Sequence, residues 1–147
     1  MVLQRFGVSI PGELLKEFDE VIQRKGYLGR SEAIRDAMRD FISGSRWEAG
    51  QGTYVAVLNI VYDNRPSLVS KLIKIQHSSR ADIISTVHVH LTERLCLEVI
   101  TLRGTREEIE YTANKISSIS GVEHARLSAV PVEVREGNHT HEIGNHV

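Results

Sequence analysis

The alternation of apolar and polar residues changes its period several times along the chain, and each change predicts a new element of secondary structure. Residues 4–10 alternate strictly, which predicts a short, half-buried strand. Two helical patterns follow, the first ended by Gly26 and the second capped by Ser31. One strand and two short helices cannot bury a core alone, so we expect this unit to pair with a second copy.

Glycines at positions 44, 50 and 52 predict a linker over residues 44–52 that leads into a second unit. Beyond it the pattern follows the order β-α-β-β-α-β, which is the ferredoxin-like arrangement. The expected fold class is therefore α+β. The expected boundaries are residues 1–48 for the β-α-α unit, 53–134 for the ferredoxin-like unit and 135–147 for a polar, mobile tail.

Most of the potential metal-binding side chains lie in a predicted hairpin, whose loop we place at residues 92–94. Because side chains alternate along a strand, His88 and His90 share one face, and Cys96 and Glu98 share that face on the returning strand. This register sets His90 opposite Cys96 and His88 opposite Glu98. A lone cysteine or histidine is usually structural, but two imidazoles and a thiol on one face favour a transition metal.

Imidazole and thiolate ligands favour Ni(II) or Cu(II) in a tetragonal site, and Zn(II) accepts the same ligands in a tetrahedron. Glu98, and Gln76 from the preceding helix, are expected to orient an imidazole without binding the metal. A catalytic metal keeps an open position for substrate, and the sequence contains no phosphate-binding glycine loop and no nucleophile elbow. We therefore expect a protein that is not an enzyme.

Composition narrows the class of protein without identifying it. The net charge of −1 over 147 residues gives no bulk attraction to nucleic acid, so any DNA binding needs a local basic surface. The single cysteine excludes an intramolecular disulfide framework and suits a reducing compartment. No signal-peptide pattern and no apolar run of about 20 residues occur. We expect a cytoplasmic protein with no membrane partner.

Two copies of the first strand can pair into an antiparallel ribbon, and such a ribbon fits the DNA major groove. Its outward face would carry an arginine, which can read guanine with two hydrogen bonds. The start of the second helix is a favourable place for phosphate. The pattern alone fits a plain dimerisation module equally well. The candidate DNA-contacting residues are Arg5, Gly7, Ser9, Arg30, Ser31 and Arg65.

Four segments carry a family resemblance, and they are RFGVSIP at 5–11, GYLGRSEAIRD at 26–36, HVH at 88–90 and CLE at 96–98. Together they resemble the nickel-responsive ribbon-helix-helix repressors, the NikR family, over about residues 5–130. The second segment alone would indicate only a ribbon-helix-helix module. The combination of both motif sets at these positions is highly specific.

The resemblance implies a homotetramer, in which two ribbon-helix-helix dimers flank a core of four ACT-like domains. It also implies repression of nickel-uptake genes on a double-stranded DNA operator. Gly7 departs from the hydroxyl-bearing reader usual in this family and has no side-chain donor. A potassium-like second cation is implied near Glu32 and Asp36. The implied nickel ligands, for one ion per chain, are His88, His90 and Cys96 of one chain and His77 of another.

Other interpretations stay open at this point. A regulator of the same architecture could sense copper, cobalt or a small molecule, and a nickel buffer would share the metal site without binding DNA. Histidines outside the hairpin, other than His77, are not expected to bind the metal. His124 is expected to be structural, and His139, His141 and His146 are expected to be solvated in the tail.

Overall fold

The computed structural model describes residues 1–132, which lie in two compact units divided after Ser45. None of the helices in this part of the chain is both long enough and apolar enough to cross a bilayer. The elements are α1 (Gly12–Lys25), α2 (Arg30–Glu48), β1 (Tyr54–Asp63), α3 (Pro66–His77), β2 (Asp82–His90), β3 (Leu95–Gly104), α4 (Arg106–Ser117) and β4 (Val122–Pro131).

The first unit consists of α1 and α2 joined by a short turn. Gly26 ends α1 as predicted, because it adopts the left-handed conformation (φ 77°) and its N–H bonds the carbonyl of Gln23. The predicted strand at 4–10 is absent from the single chain, where residues 1–11 have no assigned structure and are exposed. A strand needs a hydrogen-bonded neighbour, and within one chain this segment has none.

Two sequence-based boundaries in the first unit were wrong. The second helix begins at Arg30, so Ser31 lies inside its first turn and does not cap it. The helix also continues to Glu48, so Gly44 is a helical residue and the predicted linker begins too early. A single exposed glycine costs a helix only about 1 kcal/mol, and the surrounding helix-forming residues outweigh it.

The second unit is a four-stranded antiparallel sheet with strand order β2-β3-β1-β4. The element order β-α-β-β-α-β is the predicted ferredoxin-like order. Alternate residues of β1 and β3 are buried, which places one face of the sheet against α3 and α4. The core side chains include Leu58, Ile60, Leu68, Leu72, Ile100, Leu102, Ile109 and Ile116.

The hairpin of β2 and β3 has the predicted register, with His90 opposite Cys96 and His88 opposite Glu98. Its loop is closed by the N–H groups of Leu91 and Thr92, which both bond the carbonyl of Leu95. The face that carries the histidines and Cys96 is the helix-covered face, since Cys96 is fully buried among core residues. The site therefore lies where the hydrophobic core meets solvent.

The turn between α4 and β4 is tightly packed around Gly121. This glycine has φ 101°, and a β-carbon there would collide with the Arg65 guanidinium and lie 2.6 Å from Leu68 Cδ1. Arg65 is held in place by the carbonyl of Ser120 (3.2 Å) and by the carboxylate of Asp63 (3.2 Å). The turn thus depends on a residue without a side chain.

We expect Gly121→Ala to lower the free energy of unfolding by about 2–4 kcal/mol, because it adds backbone strain and a steric clash. Thermal unfolding at a fixed protein concentration measures the effect. Gly44→Ala is the matched control, since a β-carbon at Gly44 meets nothing within 4 Å and alanine favours the helix. Equal melting temperatures for Gly121→Ala and the parent protein would contradict this account of the turn.

Candidate metal centre

Three potential metal ligands lie close together on the β2–β3 hairpin, at one edge of the sheet. His90, Cys96 and Tyr62 form one row across β2, β3 and β1, and His88 and Glu98 lie in the next row. Cross-strand neighbours on one face are about 5 Å apart, so the register alone brings the side chains together. The edge position of β2 leaves both histidines exposed, while Cys96 is buried.

The ligand atoms of His88, His90 and Cys96 all lie within 4.8 Å of one another. The His90 Nδ1 atom is 3.5 Å from the Cys96 Sγ atom, and the two imidazole rings have centroids 4.9 Å apart. Two such ligands of one ion lie at most about 4.5 Å apart, given metal–ligand distances near 2.0–2.3 Å. A single ion therefore fits with small movements of the exposed rings.

This donor set matches a transition metal better than a hard cation. Two neutral imidazoles and one thiolate are the ligands that zinc, copper and nickel take in proteins, whereas magnesium and calcium take oxygen. Three ligands from one chain leave at least one position to be filled. No other group of three or more potential ligands occurs within residues 1–132.

A buried hydrogen-bond network supports the ligands. The Glu98 carboxylate, only 8% exposed, accepts from Tyr62 Oη (3.2 Å) and from Gln76 Nε2 (3.2 Å). Tyr62 Oη is also 3.3 Å from His88 Nδ1. Burial, then the charge of Glu98, raises the pKa of Tyr62 well above its usual value, so the hydroxyl keeps its proton.

The network shows how Glu98 is connected to an imidazole. The sequence predicted that Glu98 lies opposite His88 and orients an imidazole, and in the structure the carboxylate reaches His88 through the Tyr62 hydroxyl. Because that hydroxyl donates to Glu98, its oxygen can accept from His88 Nδ1–H, which leaves Nε2 with a free lone pair. Tyr62 is the residue that sequence reasoning missed. A tyrosine ending an otherwise apolar strand was the available signal.

His77 lies apart from the three clustered ligands. It is the last residue of α3 and is exposed. Its neighbour Gln76 points toward Glu98, and successive helical residues are rotated by about 100°. The structure therefore does not bring His77 into the cluster of its own chain. It is directed to a different side of α3.

The candidate DNA-contacting residues fall into two groups. Arg5, Gly7 and Ser9 are exposed on the unpaired N-terminal segment. Arg30, in contrast, makes two 2.8 Å hydrogen bonds to the Asp19 carboxylate, and this guanidinium holds the pKa of Asp19 below its usual value.

Ser31 is exposed in the first turn of α2, where backbone N–H groups are available to phosphate. Arg65 is already bonded to the turn around Gly121. Both arginines that were expected to contact phosphate, Arg30 and Arg65, thus have structural partners within the chain.

The carboxylates suggested for a second cation are partly occupied. Asp36 accepts from the Tyr27 hydroxyl (2.8 Å) and from Arg39 Nη1 (2.9 Å), so both of its oxygens have partners. Glu32 lies one helical turn earlier on α2 and is exposed. Of the other histidines, His124 is exposed on β4, and His139, His141 and His146 lie outside the described residues.

Family models match both units of the chain. The model described as the NikR C-terminal nickel-binding domain matches residues 55–130. The model described as the ribbon-helix-helix protein, CopG family, matches residues 4–42, including the segment that is unpaired in the single chain. These matches identify the first unit as a ribbon-helix-helix domain and the second as a NikR C-terminal nickel-binding domain.

Relatives match over at least four fifths of their length. A protein of Methanosarcina mazei named nickel-responsive regulator 3 is 46% identical over 136 residues, which cover 91% of this chain and 97% of the relative. One from Thermococcus kodakarensis, also named a nickel-responsive regulator, is 44% identical over 128 residues, covering 86% and 93%. One of the same name from Caldanaerobacter subterraneus is 45% identical over 124 residues, covering 84% and 80%.

Among solved structures, the ACT domain of the GTP pyrophosphokinase of Chlorobium tepidum is similar, with 10% identity and a TM-score of 0.45 over 52% of this chain and 99% of that domain. The family models and the relatives carry the assignment. They describe transcriptional regulators, not enzymes. The chain belongs to the NikR family of nickel-responsive regulators, which join a ribbon-helix-helix domain to a C-terminal nickel-binding domain.

Proposed function

We propose that this protein is a nickel-dependent, DNA-binding transcriptional repressor of the cytoplasm that controls nickel-uptake genes. Residues 1–48 would bind the operator, and residues 53–134 would sense the metal and hold a tetramer together. The observation that supports this best is the convergence of His88, His90 and Cys96 within 4.8 Å, in a chain whose relatives are named nickel-responsive regulators.

The proposed site holds one Ni(II) ion per chain, with a fourth ligand from His77 of another copy. Three ligands from one chain leave a position free, and His77 is exposed and directed away from its own cluster. A planar set of three nitrogens and one sulfur suits Ni(II). Glu98 and Gln76 would orient His88 through Tyr62, as outer partners commonly do.

The proposed tetramer is supported by the uncovered face of the sheet. Opposite the helices, β2 exposes Val87 (55%) and Val89 (39%), and the neighbouring strand β3 adds Leu97 and Val99, both half-buried. Contiguous apolar surface of this kind marks a protein–protein interface. We assign it to contacts between copies of this chain.

The proposed DNA interface is an antiparallel ribbon made from two N-terminal segments. Phe6, Val8 and Ile10, which alternate along this segment, are 71%, 73% and 42% exposed in the single chain, and a run of exposed apolar side chains of this kind indicates an interface. Pairing would bury them and turn Arg5, Gly7 and Ser9 toward the major groove. Ser31 would add a phosphate contact at the start of α2, and Arg30 and Arg65 would do so only by leaving their present partners.

A potassium-like cation between Glu32 and Asp36 is part of the same proposal. Binding there requires Asp36 to give up Arg39, whose ion pair is exposed and therefore weak. A cation that binds only in the DNA-bound arrangement would add to operator affinity without affecting the free protein.

Cys96→Ala should weaken nickel binding roughly 100-fold or more and abolish the thiolate-to-nickel charge-transfer band, because the only thiolate ligand is lost. Anaerobic Ni(II) titration followed by absorption spectroscopy measures both, with Cu(II) and Zn(II) as competitors. His124→Ala is the control, since His124 lies outside the cluster. One nickel per chain with an unchanged spectrum in Cys96→Ala would rule out the proposed site.

Arg5→Ala should lower the nickel-dependent affinity for operator DNA about 10- to 100-fold, because arginine contributes about 1–3 kcal/mol when it reads guanine. Fluorescence anisotropy with labelled promoter DNA from nickel-uptake genes measures the affinity at fixed salt. Arg103→Ala removes the same charge from a residue paired with Asp82 and should have little effect. Equal losses in both variants would indicate bulk charge and contradict base reading by Arg5.

Val89→Glu should weaken self-association at least about 10-fold, because it buries a carboxylate in the proposed interface. Sedimentation velocity of the metal-free protein over a range of concentrations measures it. Thr86→Glu places the same charge on β2 but on the opposite face of the strand, and should leave assembly intact. If Val89→Glu assembled as the parent protein does, the uncovered face would not be the interface.

A further inference from the structure

The segment that follows His77 is held by three consecutive residues, two of which contact α4. Ser79 Oγ lies 2.9 Å from Thr112 Oγ1, Arg80 stacks over the Tyr111 ring at 4.3 Å, and Ala81 is buried in the core. Only Ser78 separates His77 from this segment, and its hydroxyl bonds the carbonyl of Lys74 (2.9 Å) to end α3. The chain is thus anchored to α4 two residues after His77.

Thr112 is unusual among the residues in these contacts because its polar side chain is buried. It is 1% exposed and is, with Glu98, one of the two buried polar residues among those described. It lies on the buried face of α4 beside Ala113, with Ile109 and Ile116 one turn away on either side. A buried hydroxyl is costly unless it is hydrogen-bonded, and the partner that this one has is Ser79.

Packing alone does not require a threonine at this position. Valine is β-branched like threonine and would occupy a similar space without a hydroxyl that needs a partner. The hydroxyl instead fixes the loop after α3, 33 residues away in the chain. The hydrogen bond of this hydroxyl therefore helps to set where the end of α3 lies relative to α4.

We propose that Thr112 is a positioning residue of the metal site, which acts by holding Ser79 and thereby placing His77 for binding to the nickel ion of another chain. The inference rests on the proposed function in one respect, namely that His77 is a nickel ligand. Thr112 itself does not touch the metal. Freeing the loop would let the end of α3 sample several positions and would lower the fraction of time in which His77 can bind.

Thr112→Val in the full-length protein should weaken nickel binding about 3- to 10-fold, the loss expected from one hydrogen bond. Thr112→Ser keeps a hydroxyl and should restore most of the affinity. The nickel absorption spectrum should shift in Thr112→Val toward that of His77→Ala, because both weaken the same ligand. Thermal unfolding of each metal-free variant reports any general loss of stability.

A double-mutant cycle with His77→Ala makes the test specific. If Thr112 acts through His77, then Thr112→Val should have no further effect on nickel affinity when His77 is already alanine. Ser79→Ala removes the same hydrogen bond from its other partner, which is only half-buried. This variant replaces Thr112→Val in the cycle if Thr112→Val does not fold. An equal weakening by Thr112→Val in both backgrounds would overturn the proposal, as would no weakening at all.

The outcomes also separate this inference from the proposed function. If His77→Ala leaves nickel affinity and spectrum unchanged, His77 is not a ligand, and the proposed ligand set fails together with the positioning role. If His77→Ala weakens binding but the cycle shows no coupling to Thr112, the ligand set stands and only the positioning role is wrong.

Discussion

The register of the β2–β3 hairpin is the constraint on which the metal site depends. It sets His90 beside Cys96 and His88 beside Glu98, and a slip of β2 by one residue would send both histidines to the face opposite Cys96. The core fixes which face of β3 turns inward, because that face buries Ile100 and Leu102. On β2, Ile83 packs against the core, and the hairpin loop closed on the carbonyl of Leu95 sets the pairing of the two strands. Metal ligands and core side chains therefore share one face for a physical reason: the energy that buries the core also aligns the ligands.

Glu98 extends this constraint from the hairpin to α3. A carboxylate with 8% exposure is stable there because Tyr62 and Gln76 both donate to it. Tyr62 in turn contacts His88, and Gln76 precedes His77 in the helix. One buried network thus touches both the hairpin ligands and the helix end that carries the proposed fourth ligand. A change at either end alters the hydrogen bonds available at the other, which is the kind of connection that couples two binding events.

The sequence predicted what local periodicity controls. The alternation around His88 and Cys96 was enough to give the hairpin and its register, and Gly26 was enough to end α1. It could not give Tyr62, whose place beside Cys96 depends on the pairing of β1 with β3, nor the bond of Ser79 to Thr112. Both contacts join segments far apart in the chain. The strand at 4–10 failed for a different reason, since its pattern describes a paired state that one chain cannot form.

Within residues 1–132 the single chain leaves apolar surfaces uncovered, among them the N-terminal segment with Phe6 and Val8 and the sheet face with Val87 and Val89. The metal cluster is incomplete in a comparable way, since three ligands come from one chain while His77 points elsewhere. Under the proposed function, one event completes all three features, because association covers the surfaces and supplies the missing ligand. A metal that binds only the assembled arrangement stabilises it by mass action. Nickel would then act on DNA affinity by selecting among arrangements of the assembly, without needing to refold either domain.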